Sequence, residues 1–240
     1  GLFFYGNGVL THSGTKLWAG GRENNATLLY TGLAEQKSNF FVYDDLIYIH
    51  DGEHYLVWDG SSVNAVDGYV PRTTISRSPS GGGTKLEDVN LLSPYRVNTF
   101  CGDGTSTVYQ LDVEEFDNEE PLVIVNGVTL TSGFSFDYTN GTVTFTTAPS
   151  EPDSVGRDNV VIQFKKTVEG YAAEILNCRL IEVFDNRVFA SGNPNYPNYL
   201  WHCSLNDPTY WSDLDYYKEG EEDSAIKSLV AGNNALWVLK

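Results

Sequence analysis

Phe40-Phe41-Val42-Tyr43-Asp44-Asp45-Leu46-Ile47-Tyr48-Ile49 is the stretch whose reading decides the fold. Two apolar runs, rich in aromatic and β-branched residues, flank a two-residue turn. Asp and Asn suit such turns because their short polar side chains tolerate left-handed backbone angles. The stretch therefore predicts a β-hairpin.

The same plan recurs three times. Leu2-Phe3-Phe4-Tyr5 is followed by a turn at Asn7-Gly8 and then Val9-Leu10-Thr11-His12. Ile181-Glu182-Val183-Phe184 leads through Asp185-Asn186 into Arg187-Val188-Phe189-Ala190. Ser228-Leu229-Val230-Ala231 leads through Asn233-Asn234 into Ala235-Leu236-Trp237-Val238. The turns at Asn7 and Asp44 are 37 residues apart, those at Asp185 and Asn233 are 48 apart, and those at Asp44 and Asp185 are 141 apart. Removing an insertion of roughly 100 residues brings the long interval near the others, and a period of roughly 40–50 residues with several strands per unit marks a β-propeller blade. His50 to Gly60, with turns at Asp51-Gly52 and Asp59-Gly60, continues the second unit, and Thr11 to Trp18 is its shorter counterpart in the first.

The expected fold is all-β: a partial or full β-propeller with an inserted small β-sandwich domain, a generic stacked sandwich being the alternative. Residues 1–68 carry the first blades, 69–168 the insert and 169–240 the remaining blades. Three to four blades fit, whereas closed propellers have about 4–8. Unpaired edges invite association, so further blades or a neighbouring chain are expected to cover them. The chain contains no Met and is read as a fragment, a processed product or an edited chain.

The insert opens with Pro71 to Gly83, including Ser78-Pro79-Ser80-Gly81-Gly82-Gly83, expected to be a flexible polar arm. Beyond it, Gly104 to Leu111 alternates in the manner of a half-buried strand. Leu122–Val125 and Val128–Leu130 flank Asn126-Gly127, Phe134–Tyr138 and Thr142–Phe145 flank Asn140-Gly141, and Val160–Phe164 is expected to close the sheet. About six strands in this length suit a small sandwich.

Composition agrees. Of 240 residues, 41% are hydrophobic and 20% charged, enough for a real core, and the 23 Gly, 15 Tyr and 12 Phe give a turn-rich, aromatic β profile. The net charge of −17 argues against sequence-specific nucleic-acid binding, since phosphates would be repelled over most of the surface. Arg72, Arg77 and Lys85 are too few to form a basic patch. Cys101, Cys178 and Cys203 are widely spaced, which fits free thiols in a reducing compartment better than a zinc site or a disulfide framework. The sequons at Asn25 and Asn140 mean little without a secretory signal. No apolar run approaches the roughly 20 residues of a membrane span.

Candidate chemistry is sparse, and no catalytic, cofactor or metal site is assigned. His50 and His54 flank a turn beside Asp51 and Glu53, but alternate strand residues point to opposite faces, so they are read as structural surface residues. HExxH and Gly-x-Ser-x-Gly do not occur. The run Glu219-Gly220-Glu221-Glu222-Asp223, with Asp213 and Asp215 upstream, is read as a solvated loop rather than a calcium site. Tyr196, Tyr199, Trp201, Tyr210 and Trp211, with Tyr216 and Tyr217 beside them, form a dense aromatic group. Sugar stacking, a subunit interface and packing between blades are all open for it.

Two stretches carry a family resemblance. Val188-Phe189-Ala190-Ser191-Gly192-Asn193-Pro194, then Tyr199-Leu200-Trp201-His202-Cys203-Ser204 and Leu205-Asn206-Asp207-Pro208-Thr209-Tyr210-Trp211, resemble a phrase of phage tail proteins with propeller folds, the tail nozzle proteins of short-tailed phages among them. Within the insert, Asp103 to Leu111, Val125 to Val128, Gly141 to Phe145 and Ala148-Pro149 are similar to small β domains that decorate tail fibres. The matches span about two thirds of the chain, and their motifs are short. The resemblance implies a non-enzymatic virion structural protein located in the tail and assembled in the host bacterial cytoplasm. Copies would form a homo-oligomeric ring, the insert would touch other virion tail proteins or a host surface glycan, and acidity would suit a channel that conducts DNA. A carbohydrate- or host-receptor-binding propeller is the alternative, and a glycoside hydrolase a more distant one.

Overall fold

A computed structural model describes residues 1–6, 8–20, 25–221 and 223–240. Among the described residues the fold is all-β, built of several small, mainly antiparallel sheets and one short helix. Two compact units share the chain: Gly1–Gly68 with Gly170–Lys240, and Tyr69–Glu169 between them in sequence.

The first sheet is the meander β1 (Leu2–Tyr5), β2 (Gly8–Ser13), β3 (Lys16–Gly20) and β4 (Thr27–Thr31). The second repeats it with β5 (Asn39–Tyr43), β6 (Leu46–His50), β7 (Tyr55–Trp58) and β8 (Val63–Ala65). Asp44 and Asp45 both take left-handed φ, 46° and 61°, and Tyr43 pairs with Leu46. This is the two-residue turn whose twist matches that of its strands. In the first hairpin Tyr5 pairs with Gly8, so Gly8 belongs to the strand rather than to the expected turn. Asn7 lies outside the described residues.

The intervening unit holds a six-stranded sheet and a three-stranded one. Its strands are β9 (Arg72–Arg77), β10 (Thr84–Lys85), β11 (Tyr95–Phe100), β12 (Val108–Gln110), β13 (Leu122–Val125), β14 (Val128–Leu130), β15 (Phe134–Asp137), β16 (Thr142–Phe145) and β17 (Val160–Lys165). The larger sheet runs β10-β9-β11-β17-β13-β14, the smaller β12-β16-β15. Phe100, Val123, Ile162 and Phe164 of the first share one core with Tyr109, Val143 and Phe145 of the second. The two sheets thus pack around one common core.

Three expectations for this unit are corrected. Residues 71–83 are not a free arm. β9 pairs in parallel with β11, and the Arg77 guanidinium is buried, donating to the Gln110 carbonyl at 2.9 Å and the Gly82 carbonyl at 2.6 Å. The three glycines turn the chain between β9 and β10, all at left-handed φ, and a Cβ on Gly83 would stand 2.6 Å from the Ile75 carbonyl oxygen. The strand expected from Gly104 begins only at Val108, because the Asp103 carboxylate accepts the Thr105 and Ser106 amides and holds a turn there. β17 does not close the sheet but lies between β11 and β13.

After the insert, the short helix α1 (Tyr171–Leu176) precedes the third meander: β18 (Leu180–Phe184), β19 (Arg187–Asn193), β20 (Tyr196–His202) and β21 (Tyr216–Lys218). The hairpin β22 (Ser228–Gly232) and β23 (Ala235–Leu239) follows. Asp185, Asn186, Asn233 and Asn234 all take left-handed φ, so both turns form as the sequence predicts.

These four sheets stack in chain order. Leu10 and Leu17 of the first share a core with Ile47, Ile49 and Leu56 of the second. β18 lies beside β5 on one side and β22 on the other, and Leu200 of β20 packs with Leu229 of β22.

Candidate functional site

The seams between stacked sheets concentrate the buried polar chemistry of this unit. Counted from the hairpin turns, His12, His50 and Ser191 occupy one equivalent place near the end of each second strand. The pairing partners agree: His50 faces Asn39 and Ser191 faces Leu180, and His12 exchanges backbone hydrogen bonds with Gly1. The two histidines reach the segment that leads into the following sheet. His12 Nδ1 meets the Ser38 hydroxyl at 2.8 Å. His50 Nε2 donates to the Ile175 carbonyl at 3.1 Å. Ser191 instead ties its own sheet, donating to the Tyr199 carbonyl at 2.6 Å.

His50 is thus buried, not a surface residue, and desolvation lowers its pKa. Its Nδ1 has no hydrogen-bond partner among the described residues. His54 and Asp51 do meet, at 2.9 Å between Nδ1 and Oδ2, because the loop after β6 folds back. Asp51 also accepts the amides of Ala34, Glu53 and His54. Burial alone would push this carboxyl up, but those hydrogen bonds outweigh it and the net shift is downward.

The second and third sheets are joined by direct polar contacts. The Tyr55 hydroxyl donates to the Pro208 carbonyl at 3.1 Å, and Trp211 Nε1 donates to the same oxygen at 2.9 Å. Asp207 accepts the Thr209 amide and hydroxyl, which shapes the Asp207-Pro208-Thr209 turn. The Tyr43 hydroxyl reaches the Asn186 carbonyl, and the Asn39 amide reaches the Arg179 carbonyl.

The aromatic group divides by exposure. Trp201 and Trp211 are buried at 1% exposure each, so their rings pack inside the unit. Tyr210 is half-buried. Tyr199 and Tyr216 stack at 4.9 Å, and the Lys218 ammonium lies 5.0 Å from the Tyr199 centroid. Both neighbours crowd that ring. Tyr196, 5.1 Å from Tyr199, is 36% exposed, and Tyr217 is 54% exposed.

The acidic loop is tied to the strands. The Glu219 amide donates to the Asn198 carbonyl, and Asn198 Nδ2 donates to the Gly220 carbonyl. Glu222 lies outside the described residues. Among the described residues no three His, Cys, Asp or Glu side chains are grouped as metal ligands would be.

The intervening unit has its own polar knot. Asp158 accepts the Ser76 amide at 2.9 Å, the Thr99 hydroxyl, and the Cys101 thiol at 3.2 Å. Burial, then this carboxylate, push the Cys101 thiol up, so it is not an activated nucleophile. Burial pushes Cys203 up to about 11. An open cleft of about 460 Å³ runs beside the knot, lined by Arg77, Pro79, Cys101, Asp103, Glu151 and Val155 among others.

Sequence reasoning did not single out His12, His50, Tyr55, Pro208 or Asp158 for these roles. A signal existed for the histidines. Thr11-His12-Ser13-Gly14 and Ile49-His50-Asp51-Gly52 share His-x-Gly at an offset of 38 residues, close to the spacing of the turns. Nothing in the sequence marks the Tyr55 contact, which joins residues on either side of the insert.

Comparison with known proteins finds no matching family model, no matching curated protein and no matching solved structure.

Proposed function

We propose that this chain is a non-enzymatic virion structural protein, a component of a bacteriophage tail, neck or nozzle. In this reading the stacked meanders are consecutive blades of a β-propeller, and the sandwich is a module spliced between two blades to touch neighbouring tail proteins. The observation that carries it is the seam at Tyr55, Pro208 and Trp211. Within residues 205–211, which resemble the tail-nozzle phrase, the Pro208 carbonyl accepts both the Tyr55 hydroxyl of the second sheet and the Trp211 indole of its own loop. A repeated β unit with such a seam tolerates a large insertion at a loop, because each sheet depends on its neighbours rather than on chain continuity.

The test is to recover particles from a lysate of bacteria carrying the gene, then seek peptides of this chain in purified virions and label the tails with antibody. Peptides and tail label are expected. Particles free of the chain, or a gene set among metabolic genes with no packaging or portal genes beside it, would overturn the reading.

A second reading, a host-glycan-binding module, is favoured by Tyr196 standing exposed next to half-buried Tyr199 and Tyr216. It expects glycan-array binding that disappears in Tyr196→Ala. A glycoside hydrolase would instead release sugar from capsule or cell-wall glycans, and no turnover on such panels would dismiss it.

A further inference from the structure

Asn126-Gly127 and Asn140-Gly141 both turn the chain within the intervening unit, and both asparagines are exposed. The dipeptide also carries a reaction. The glycine amide nitrogen attacks the carboxamide carbon of the asparagine before it, an intramolecular step that needs the two atoms brought face to face. A new C–N bond closes a cyclic imide. The side-chain nitrogen leaves as ammonia and takes the proton that the glycine nitrogen gives up. Water then opens the ring to aspartate or to isoaspartate.

The carboxamide must rotate until its carbon faces the glycine nitrogen. The Gly127 and Gly141 amides both donate no hydrogen bond among the described residues, so the side chains decide. At Asn126 the carboxamide is held at both ends. Nδ2 donates to the Ser150 hydroxyl at 3.0 Å, and Oδ1 accepts from Asn159 Nδ2 at 3.0 Å. Asn159 is itself buried and fixed: its Oδ1 accepts the Gly102 amide at 2.8 Å, and its Nδ2 also donates to the Ser150 carbonyl at 2.8 Å. Rotation of Asn126 breaks both of its side-chain bonds.

At Asn140 the carboxamide is held at one end. Nδ2 donates to Asp137 Oδ2 at 2.7 Å, and Oδ1 accepts nothing among the described residues. The group can pivot about that single bond. The glycine beside it is imposed by the fold. Gly141 has a left-handed φ of 66°, and a Cβ there would collide with the Val113 carbonyl. A bulkier residue, which would block the attack, is therefore barred from this place.

We propose that Asn140 is a site of spontaneous deamidation in the folded chain, with water as the co-reactant, and that Asn126, the same dipeptide, is protected by its clamp. The isoaspartyl product reroutes the backbone through the former side chain, longer by one carbon, and turns the old carbonyl into a carboxylate. The Asn140 and Gly141 carbonyls accept Gln110 Nε2 at 2.9 and 3.2 Å, and the Gly141 carbonyl accepts the Leu111 amide at 2.9 Å. The reaction thus shifts the acceptors that tie this turn to β12 and its end, and it adds a negative charge beside Asp137. None of this depends on a virion role.

The experiment holds the whole chain in mildly alkaline buffer, folded and in urea, and follows its peptides by mass spectrometry. Each conversion registers as a gain of one dalton, and chromatography separates isoaspartate from aspartate. In urea both turns are expected to convert at similar rates. In the folded chain Asn140 is expected to convert about tenfold faster than Asn126, because one side chain must break two hydrogen bonds and the other turns about one. Ser150→Ala removes one hold on Asn126 and is expected to raise its rate about fivefold, with the Asn140 rate unchanged. Hydrogen exchange in β12 is expected to rise in the isoaspartyl product and to stay at the parent level in Asn140→Asp, which has the charge on a normal backbone. Equal folded rates at the two turns, or an intact Asn140 beside a converted Asn126, would overturn the proposal. So would a folded chain in which neither turn converts over many times the lifetime measured in urea. Raised exchange in Asn140→Asp would overturn the assignment of the disturbance to the backbone.

Discussion

The Tyr55 hydroxyl donates to the Pro208 carbonyl over 3.1 Å, joining residues 153 positions apart. The whole unit Tyr69–Glu169 lies between them in sequence. Both sheets therefore have to be in place before this bond exists.

Tyr55→Phe removes only that hydroxyl. Pro208 keeps the Trp211 donor, so no buried acceptor is orphaned. The expected loss is about 1 kcal/mol, the net worth of a neutral buried hydrogen bond. Urea unfolding followed at the tryptophans measures it. A loss confined to the transition of the meander unit is expected, since Tyr55 belongs to that unit alone.

His50 links stability to pH. Burial lowers its pKa below the ordinary 6.5, so the unfolded chain binds the proton first. Stability is then complete above about pH 6.5 and declines as pH falls below it. The charged ring would need an acceptor at Nδ1, which has none among the described residues, although the Asp51 charge works in the opposite direction. His50→Gln is expected to flatten the melting midpoint between pH 7 and pH 5. A slope unchanged by the substitution would refute the assignment.

Asp51 adds a second, lower window. Its pKa is depressed below 3.8, so its contribution is present above that value and is lost as pH falls through the folded pKa. Asp51→Ala strips partners from three backbone amides. A loss of about 2 kcal/mol is expected at neutral pH, since the buried Ala34 amide and the partly buried amides of Glu53 and His54 all lose their acceptor. Melting at neutral pH and at pH 3 should show a smaller difference between variant and parent in acid.

Asn234 has a left-handed φ of 57°. Asn234→Val forces a β-branched residue into that region and is expected to cost about 1–2 kcal/mol. Asn234→Gly is expected to be neutral or slightly stabilising. Thermal melts of the pair separate backbone strain from loss of the amide, because glycine lacks the amide as well.

Arg77 anchors β9 inside the sandwich. Arg77→Met keeps the stem over Phe100, whose ring centroid lies 5.5 Å from the guanidinium carbon, but abandons the carbonyls of Gln110 and Gly82. A loss of about 2–3 kcal/mol is expected from breaking charge-assisted bonds. Hydrogen exchange should rise in β9 and β10 and remain unchanged in the meanders. A uniform rise across both units would refute a local role for Arg77.

The parts legible in the sequence were local. Asp44-Asp45, Asp185-Asn186 and Asn233-Asn234 announced their turns because left-handed backbone is scarce and few residues accept it. Asn126-Gly127 did the same in the sandwich, at φ of 51° and 78°. The Gly-rich stretch before Thr84 misled, because glycine serves a flexible linker and a tight turn equally well, and only the burial of Arg77 decides between them. The aromatic group misled less: its composition left packing and recognition both open, and burial of Trp201 and Trp211 separated them from Tyr196.

Alternation and turn chemistry, which act over a few residues, were enough to establish from sequence an all-β chain of repeated hairpins with a second β module in its middle. Which hairpins share a seam, which histidine loses its water and which asparagine is clamped were decided only by the tertiary structure. Those properties arise where strands distant in sequence come to lie side by side, and no short-range pattern encodes that proximity.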